Sequence, residues 1–418
     1  MNLKQTSALL LLLGTSASLP AQTGNPVPQL STFDAGMATL TAKWQIPGAA
    51  LAIAKDGRLV FAHGYGLANK ETGEPVQPDS LFRIASISKP FTATGVMKLV
   101  EAGKLDLDAK VYSILRDLMP PKGQLVDDRL RDITVRDLLR HTGGWDDHAR
   151  DESTLLLFPL DAADYFGMPS PPTSRMFVRY AYSNIALDNP PATRYAYSNF
   201  GYTLLGRVIE EISGVRYVDY IQREVLTPAG ISRMAISGNS PDTASPGEVR
   251  YYDYAGADLM PSIFPGDPRF VPAPYNMDLR MIDSFGGWAA SAIDLVRFSE
   301  TLDGRRGTAL LKAQTIQTVM AHDWSVWPGA DLWYGLGWFV QPTAGGIVWF
   351  HGGDQPGDDS LLVHWPNGIS IAVVFNSRPK LQTDFTNDVI VSLNAALAQV
   401  QSWPSNDLFP QYDPPPAR

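Results

Sequence analysis

The two ends of this 418-residue chain carry the same signal, and the middle reads differently. Near the start, the apolar runs Ala49–Ala54 and Leu59–Ala62 flank Asp56-Gly57. That dipeptide accepts the positive φ angles of a tight hairpin at low cost. Near the end, Leu361–Trp365 and Ile369–Phe375 flank Pro366-Asn367-Gly368, a second hairpin signal. Tyr334–Val340 and Gly346–Phe350 read as further strands. Helical spacing appears at Thr32–Lys43, at Ser86–Glu101 (closed by Gly103) and at Asp388–Gln399. Residues 106–284 carry shorter helical pieces, such as Val135–Leu139 and Tyr202–Ile212. Loops rich in proline, aspartate and serine, 163–193 and 237–277, separate them. The expected architecture is α/β (α+β). An antiparallel sheet drawn from both chain ends is flanked by helices and carries a mostly helical inserted subdomain. The cleft between the two parts is the default place for a site.

Composition narrows the function classes. A formal net charge of −9 argues against nucleic acid or an anionic membrane as partner. The chain has no cysteine, which excludes disulfides, cysteine-zinc sites, a thiol nucleophile and a cysteine-linked lipid anchor. Lys4, the apolar Ala8–Leu13, the small residues Gly14–Ser18 and Ala21 before Gln22 read as a signal peptide. Cleavage is expected after Ala21, with Ser18 as the alternative. The apolar run is too short to span a bilayer, and no later segment reads as transmembrane. The expected organisation is a signal peptide over 1–21, a linker over 22–31 and one domain over 32–412. Its α/β part covers about 32–105 and 285–412, with the insertion between. The expected location is periplasmic or secreted, without a stable membrane anchor. No cofactor or metal is implied, and the oligomeric state is left open.

Ser86 and Lys89 stand three apart at a helix start, in Arg83-Ile84-Ala85-Ser86-Ile87-Ser88-Lys89-Pro90. That spacing puts both on one face. A helix N-terminus points N–H groups at negative charge developing beside the serine. A lysine whose pKa falls on burial can take a serine proton. Pro90 requires the helix to begin within the preceding turn. Alone the pair is weak, because chance supplies such a spacing about once in a chain like this. Ser88 is the competing serine. No Gly-x-Ser-x-Gly elbow occurs.

Two more elements follow. Tyr197 lies two residues before Asn199, in a turn ahead of a helix. A phenol lowered by a neighbouring lysine can relay a proton, and the amide can hold substrate. Trp349-Phe350-His351-Gly352-Gly353-Asp354 reads as a strand whose glycines let a substrate backbone approach. The N–H groups of Ser86 and Asp354 can then form an oxyanion hole.

Serine-x-x-lysine, tyrosine-x-asparagine and histidine-glycine-glycine, in this order, resemble the serine β-lactamase and penicillin-binding-protein superfamily. The closer resemblance is to the class C β-lactamase-like branch, with its family VIII carboxylesterases, D-aminopeptidases and D,D-carboxypeptidases. Leu81–Lys89, Leu105–Asp108, Ile133–Gly144 and Phe285–Trp288 read like that branch, and the likeness spans about Thr32 to Leu397. It implies a β-lactamase/transpeptidase-like fold and an acyl-enzyme on Ser86. Lys89 and Tyr197 would share the acid and base work, and Asn199 would orient substrate and Lys89. His351, with Gly352 and Gly353, would touch a substrate carboxylate or stabilise Tyr197. The implied substrate is a small ester, amide or peptide.

The chain departs from the family's pattern in two places. Arg-Tyr-Ala-Tyr-Ser-Asn occurs twice, at 179–184 and 194–199. Only the second is followed by a helix-competent run. Ile185-Ala186-Leu187-Asp188-Asn189-Pro190-Pro191 after the first cannot propagate a helix. Tyr197 is therefore preferred over Tyr182, and the first copy is left lining the cleft or as a loop insertion. His351 stands where true class C β-lactamases carry a lysine, which favours ester or D-residue peptide substrates over β-lactams. His141 reads as structural, and Asp146, Asp147, His148, Asp151 and Glu152 as a solvated loop. Trp324, Trp327, Trp333 and Trp338 shape an apolar acyl pocket or pack the core.

Overall fold

The computed structural model describes residues 22–120, 124–149 and 152–413. Residues 1–21, where the export signal is read, and Asp151 lie outside the described residues. Strands β1 (Gly48–Lys55) and β2 (Arg58–Asn69) form the first hairpin. Asp56 and Gly57 turn it with φ angles of 50° and 77°, both positive as a type I′ turn demands. At the other end β3 (Phe339–Thr343), β4 (Gly346–Gln355), β5 (Asp358–His364) and β6 (Ile369–Phe375) run as an antiparallel meander. β6 then pairs with β1, setting Ala372 opposite Ala52 and Phe375 opposite Ala49. One antiparallel sheet is thus joined from strands far apart in sequence.

The expected single strand over 334–340 is two. Trp333–Tyr334 pairs back onto β3, and the chain reverses between them at Gly337, φ 93°.

The helices that position the site are α1 (Ser31–Trp44), α2 (Ser88–Glu101), α3 (Glu152–Phe166), α4 (Ser174–Asn184), α5 (Asn199–Ser213), α6 (Ala292–Leu302) and α7 (Gln382–Ala398). Phe33 and Met37 of α1 and Phe385 and Val389 of α7 pack on Leu51, Ile53, Ile371 and Val373. The opposite face presents Ala50, Ala52 and Ala54, small enough for α6 to lie close with Leu295 and Phe298. Covering on both faces explains why β1 and β6 read as nearly continuous apolar runs instead of alternating ones. Burying a side chain such as Ile53 contributes about 1.5–3 kcal/mol, and Ile53→Ala would cost about 2–5 kcal/mol.

The segment 163–193, expected as loop, contains the end of α3 and all of α4. Phe177, Val178, Ala181 and Tyr182 are buried at helical spacing, and Thr173 Oγ1 caps the start by accepting from Met176 N at 3.3 Å. Proline and serine around a short amphipathic stretch hide its period. Residues 237–277 are largely irregular, with one small hairpin between Leu259–Pro261 and Phe270–Pro272.

Candidate active site

Ser86 sits in a 3₁₀ turn, Ala85–Ile87, just ahead of α2. Ala85 before it has φ 41°. A left-handed non-glycine residue costs about 1–3 kcal/mol and persists only where packing holds it, often beside functional groups. Pro90 lies in the first turn of α2, where its missing N–H breaks no intrahelical bond. Ser88 points into the core, fully buried.

Lys89 is fully buried, and its Nζ has three neighbours. Ser86 Oγ lies at 2.8 Å, Asn199 Oδ1 at 2.7 Å and the Phe285 carbonyl oxygen at 3.3 Å. Burial pulls the ammonium down to about 7, against the opposing fields of Asp147 and Asp354. A neutral amine has two N–H donors and one lone pair. In the charged form Lys89 Nζ donates to Ser86 Oγ as well; in the neutral form the two pure acceptors take both N–H groups and leave the lone pair to the Ser86 hydroxyl.

Tyr197 Oη donates to the same Ser86 Oγ at 2.9 Å. The phenol expected to be lowered by lysine is instead held well above its usual range, because burial outweighs its bond to Ser86. Tyr197 is therefore held as a neutral phenol. Ser198 caps α5 by accepting from Gly201 N at 3.1 Å, which sends Tyr197 and Asn199 into the cleft from the helix start.

A wall of rings stands behind Tyr197. His141 is buried, with its ring centroid 4.2 Å from Tyr197 and 4.6 Å from Tyr334, and its Nδ1 accepts from Ser198 N at 3.1 Å. Burial keeps it neutral, and the field of Lys89 adds to that. His351 is also buried, and its Nε2 lies 3.0 Å from Tyr334 Oη. Its direct partner is thus Tyr334, and contact with the Tyr197 ring runs through His141. Burial, then Lys89, pull the imidazole down to about 3, so His351 is uncharged at neutral pH.

β4 delivers the third element against the Ser86 turn. On β4, β3 pairs with residues 346–350, and among the described residues no strand pairs with that side of β4 from His351 onward. The open side abuts the Ser86 turn. A Cβ on Gly353 would fall 2.3 Å from Ile84 O and 2.9 Å from Ser86 N, so no larger residue fits.

Asp147, read as part of a solvated loop, is bound to the site. Its N–H donates to Tyr197 O at 2.9 Å and its Oδ2 accepts from Asn199 N at 2.6 Å, so one residue ties down both. The sequence signal for it is only its place just after His141-Thr142-Gly143-Gly144.

A cavity opens beside Ser86, lined by Asn199, Trp145, Phe177, Phe200 and Phe285 among others. Trp324, Trp327, Trp333 and Trp338, read as lining an acyl pocket or packing the core, do not line this cavity. Trp333 and Trp338 are in the core, Trp324 is exposed, and Trp327 packs on Tyr195 with centroids 4.7 Å apart. Trp145 takes that place and gave no separate signal in the sequence.

Comparison with known proteins supplies the context. The family described as Beta-lactamase matches residues 33–395. Penicillin-binding protein 4 of Amycolatopsis lactamdurans is 28% identical over 399 residues, which span 92% of this chain and 92% of that protein. Esterase EstB of Burkholderia gladioli is 26% identical over 271 residues, 63% of this chain and 67% of that protein. The structure of D-amino acid amidase from Ochrobactrum anthropi SV3 complexed with L-phenylalanine shares the fold, with a TM-score of 0.68 over 89% of this chain and 99% of that one, at 22% identity.

Proposed function

We propose, from the premise that this chain belongs to the β-lactamase family of serine hydrolases, that Ser86 takes the acyl group of an ester or amide and yields it to water. One observation carries the reading: Lys89 Nζ and Tyr197 Oη both meet Ser86 Oγ, at 2.8 and 2.9 Å. Lys89 accepts the hydroxyl proton as Oγ bonds to the substrate carbonyl carbon. The N–H groups of Ser86 and Asp354 hold the oxyanion. As the intermediate collapses, the bond to the departing alkoxide or amine breaks, and Tyr197 gives that group its proton and is refilled from Lys89. Water then attacks the ester on Ser86 with Lys89 as base, restoring the hydroxyl. Asn199 holds Lys89 in place and orients the substrate.

The substrates we favour are carboxylic esters or D-residue amides. His351 is buried and neutral, so it supplies no fixed cation for a β-lactam carboxylate. We also propose export to the periplasm or medium, on the strength of residues 1–21. Among the described residues no helix is long and apolar enough to cross a membrane. A panel of p-nitrophenyl esters, D-alanyl anilides and a chromogenic cephalosporin tests the substrate reading. Ester turnover should exceed cephalosporin turnover by a wide margin. The reverse order refutes the preference and favours a β-lactamase. A stable acyl adduct without turnover favours a penicillin-binding protein.

A further inference from the structure

The cavity beside Ser86 is one-sided. Ser86 and Asn199 line it, and Tyr197 does not. Under the acyl-enzyme reading above, Tyr197 hands a proton to the departing group, so that group lies on the tyrosine side of Ser86. The cavity on the asparagine side then receives the portion that stays bonded to Ser86 Oγ. We propose that this cavity is an acyl-binding pocket for a bulky apolar acyl group without negative charge. The inference rests on the acyl-enzyme reading of Ser86.

The walls argue for bulk and for apolar character. Trp145 meets Phe200 edge-on, with centroids 4.8 Å apart, and Phe177 meets Phe200 edge-on at 5.7 Å. Phe158 of α3 stands behind Phe177 at 6.3 Å, and Met281 and Phe285 contribute further apolar surface. A two-carbon acyl group would leave these faces without partner atoms and forfeit their dispersion contacts. A phenyl ring or a six-carbon chain covers them. The first copy of the repeated hexapeptide has a place here: α4 ends on it, and the same helix carries Phe177 into the wall.

Charge argues for the second half of the proposal. Asp147, Asp278 and Asp354 line the cavity; Arg280 and Arg378 pair with Asp278 and Asp354 at 3.7 and 3.4 Å from outside it, and no lysine, arginine or histidine lines it among the described residues. Lys89 is buried behind Ser86. A carboxylate carried on the acyl group would lose water against charge of its own sign.

The test uses p-nitrophenyl acetate, hexanoate, phenylacetate and hemisuccinate, which share a leaving group and differ only in what the cavity must hold. kcat/KM for hexanoate and phenylacetate should exceed that for acetate about tenfold or more, and hemisuccinate should be the slowest of the four. Phe158→Ala should lower the phenylacetate-to-acetate ratio about tenfold. Ile282→Trp, at a half-buried position on the wall, should lower the hexanoate-to-acetate ratio by filling the space. Equal kcat/KM across the series, or hemisuccinate fastest, overturns the pocket. If a small fluorophosphonate still labels Ser86 in that case, the acyl-enzyme reading stands. Loss of labelling overturns both.

Discussion

The hexapeptide Arg-Tyr-Ala-Tyr-Ser-Asn takes two structures in one molecule. At 179–184 it is the last turn and a half of α4, and Tyr182 is buried against Phe200 with centroids 6.2 Å apart. At 194–199 it is extended up to Ser198, which caps α5, and Tyr197 reaches Ser86. Identical residues do not decide between these outcomes; their flanks do. Ser174-Arg175-Met176-Phe177-Val178 brings a helix into the first copy, and Ile185 onward ends it. Pro190-Pro191 and the turn at Ala192, φ 61°, keep a helix from running into the second copy, and Phe200-Gly201-Tyr202 continues the helix that begins at Asn199. The tertiary partners differ in kind as well. Asp147 ties the second copy to the site through two bonds, whereas the Tyr182 carbonyl accepts from Val126 N at 3.1 Å, away from it.

The largest effect that could break this comparison is at the tyrosines. Tyr197→Phe removes the proposed acid and should lower kcat by about 10²–10⁴. Tyr182→Phe should leave kcat within about twofold, since a phenyl ring keeps the core packing. A kcat loss confined to Tyr182→Phe reverses the assignment of the two copies.

The asparagines come next. Asn199→Ala frees Lys89 Nζ of its 2.7 Å partner and should cost roughly 10–10² in kcat/KM. Asn184→Ala, at an exposed helix end, should be silent in the same assay.

The pH profile sharpens the role of Asp147. Activity should rise with pH through about 7, as the Lys89 ammonium loses its proton. Asp147 favours that ammonium, so Asp147→Asn should move the rise to lower pH. The other charged or titratable groups around Lys89 are Asp354, His141, His351, Tyr197 and Tyr202. Both histidines are neutral in this range, so they should not add a limb. An unmoved profile in Asp147→Asn contradicts this assignment.

The smallest effect is on stability. Ser198→Ala removes a cap and should cost about 1 kcal/mol in denaturant unfolding. Ser183→Ala should stay within about 0.5 kcal/mol. Equal losses would mean that Ser198 does not act as a cap.

The same contrast shows what a reader of the sequence can and cannot see. The two hairpins were legible because Asp56-Gly57 and Asn367-Gly368 specify their turns locally. That the second copy stands ahead of a helix was legible from Pro190-Pro191 and the helix run after Asn199. The helical state of 174–184 was not, because its short period is masked by neighbouring proline and serine. Ala85 at positive φ left no mark, since alanine is compatible with any element. The direction of the Tyr197 shift was misread for a related reason: burial, a property of the assembled core, outweighs its charged neighbour. Trp145 and Asp147 reach the site only because the loop after His141 folds against Tyr197, a contact no local pattern encodes.

The central claim is that Ser86 is the acylated nucleophile. Its most direct test is intact-protein mass spectrometry after treatment with a fluorophosphonate, on wild type and on Ser86→Ala. One adduct on the wild type, mapped to the Ser86 peptide and absent from Ser86→Ala, is the predicted result. An adduct of equal stoichiometry on Ser86→Ala, or one mapped to Ser88, would contradict the account.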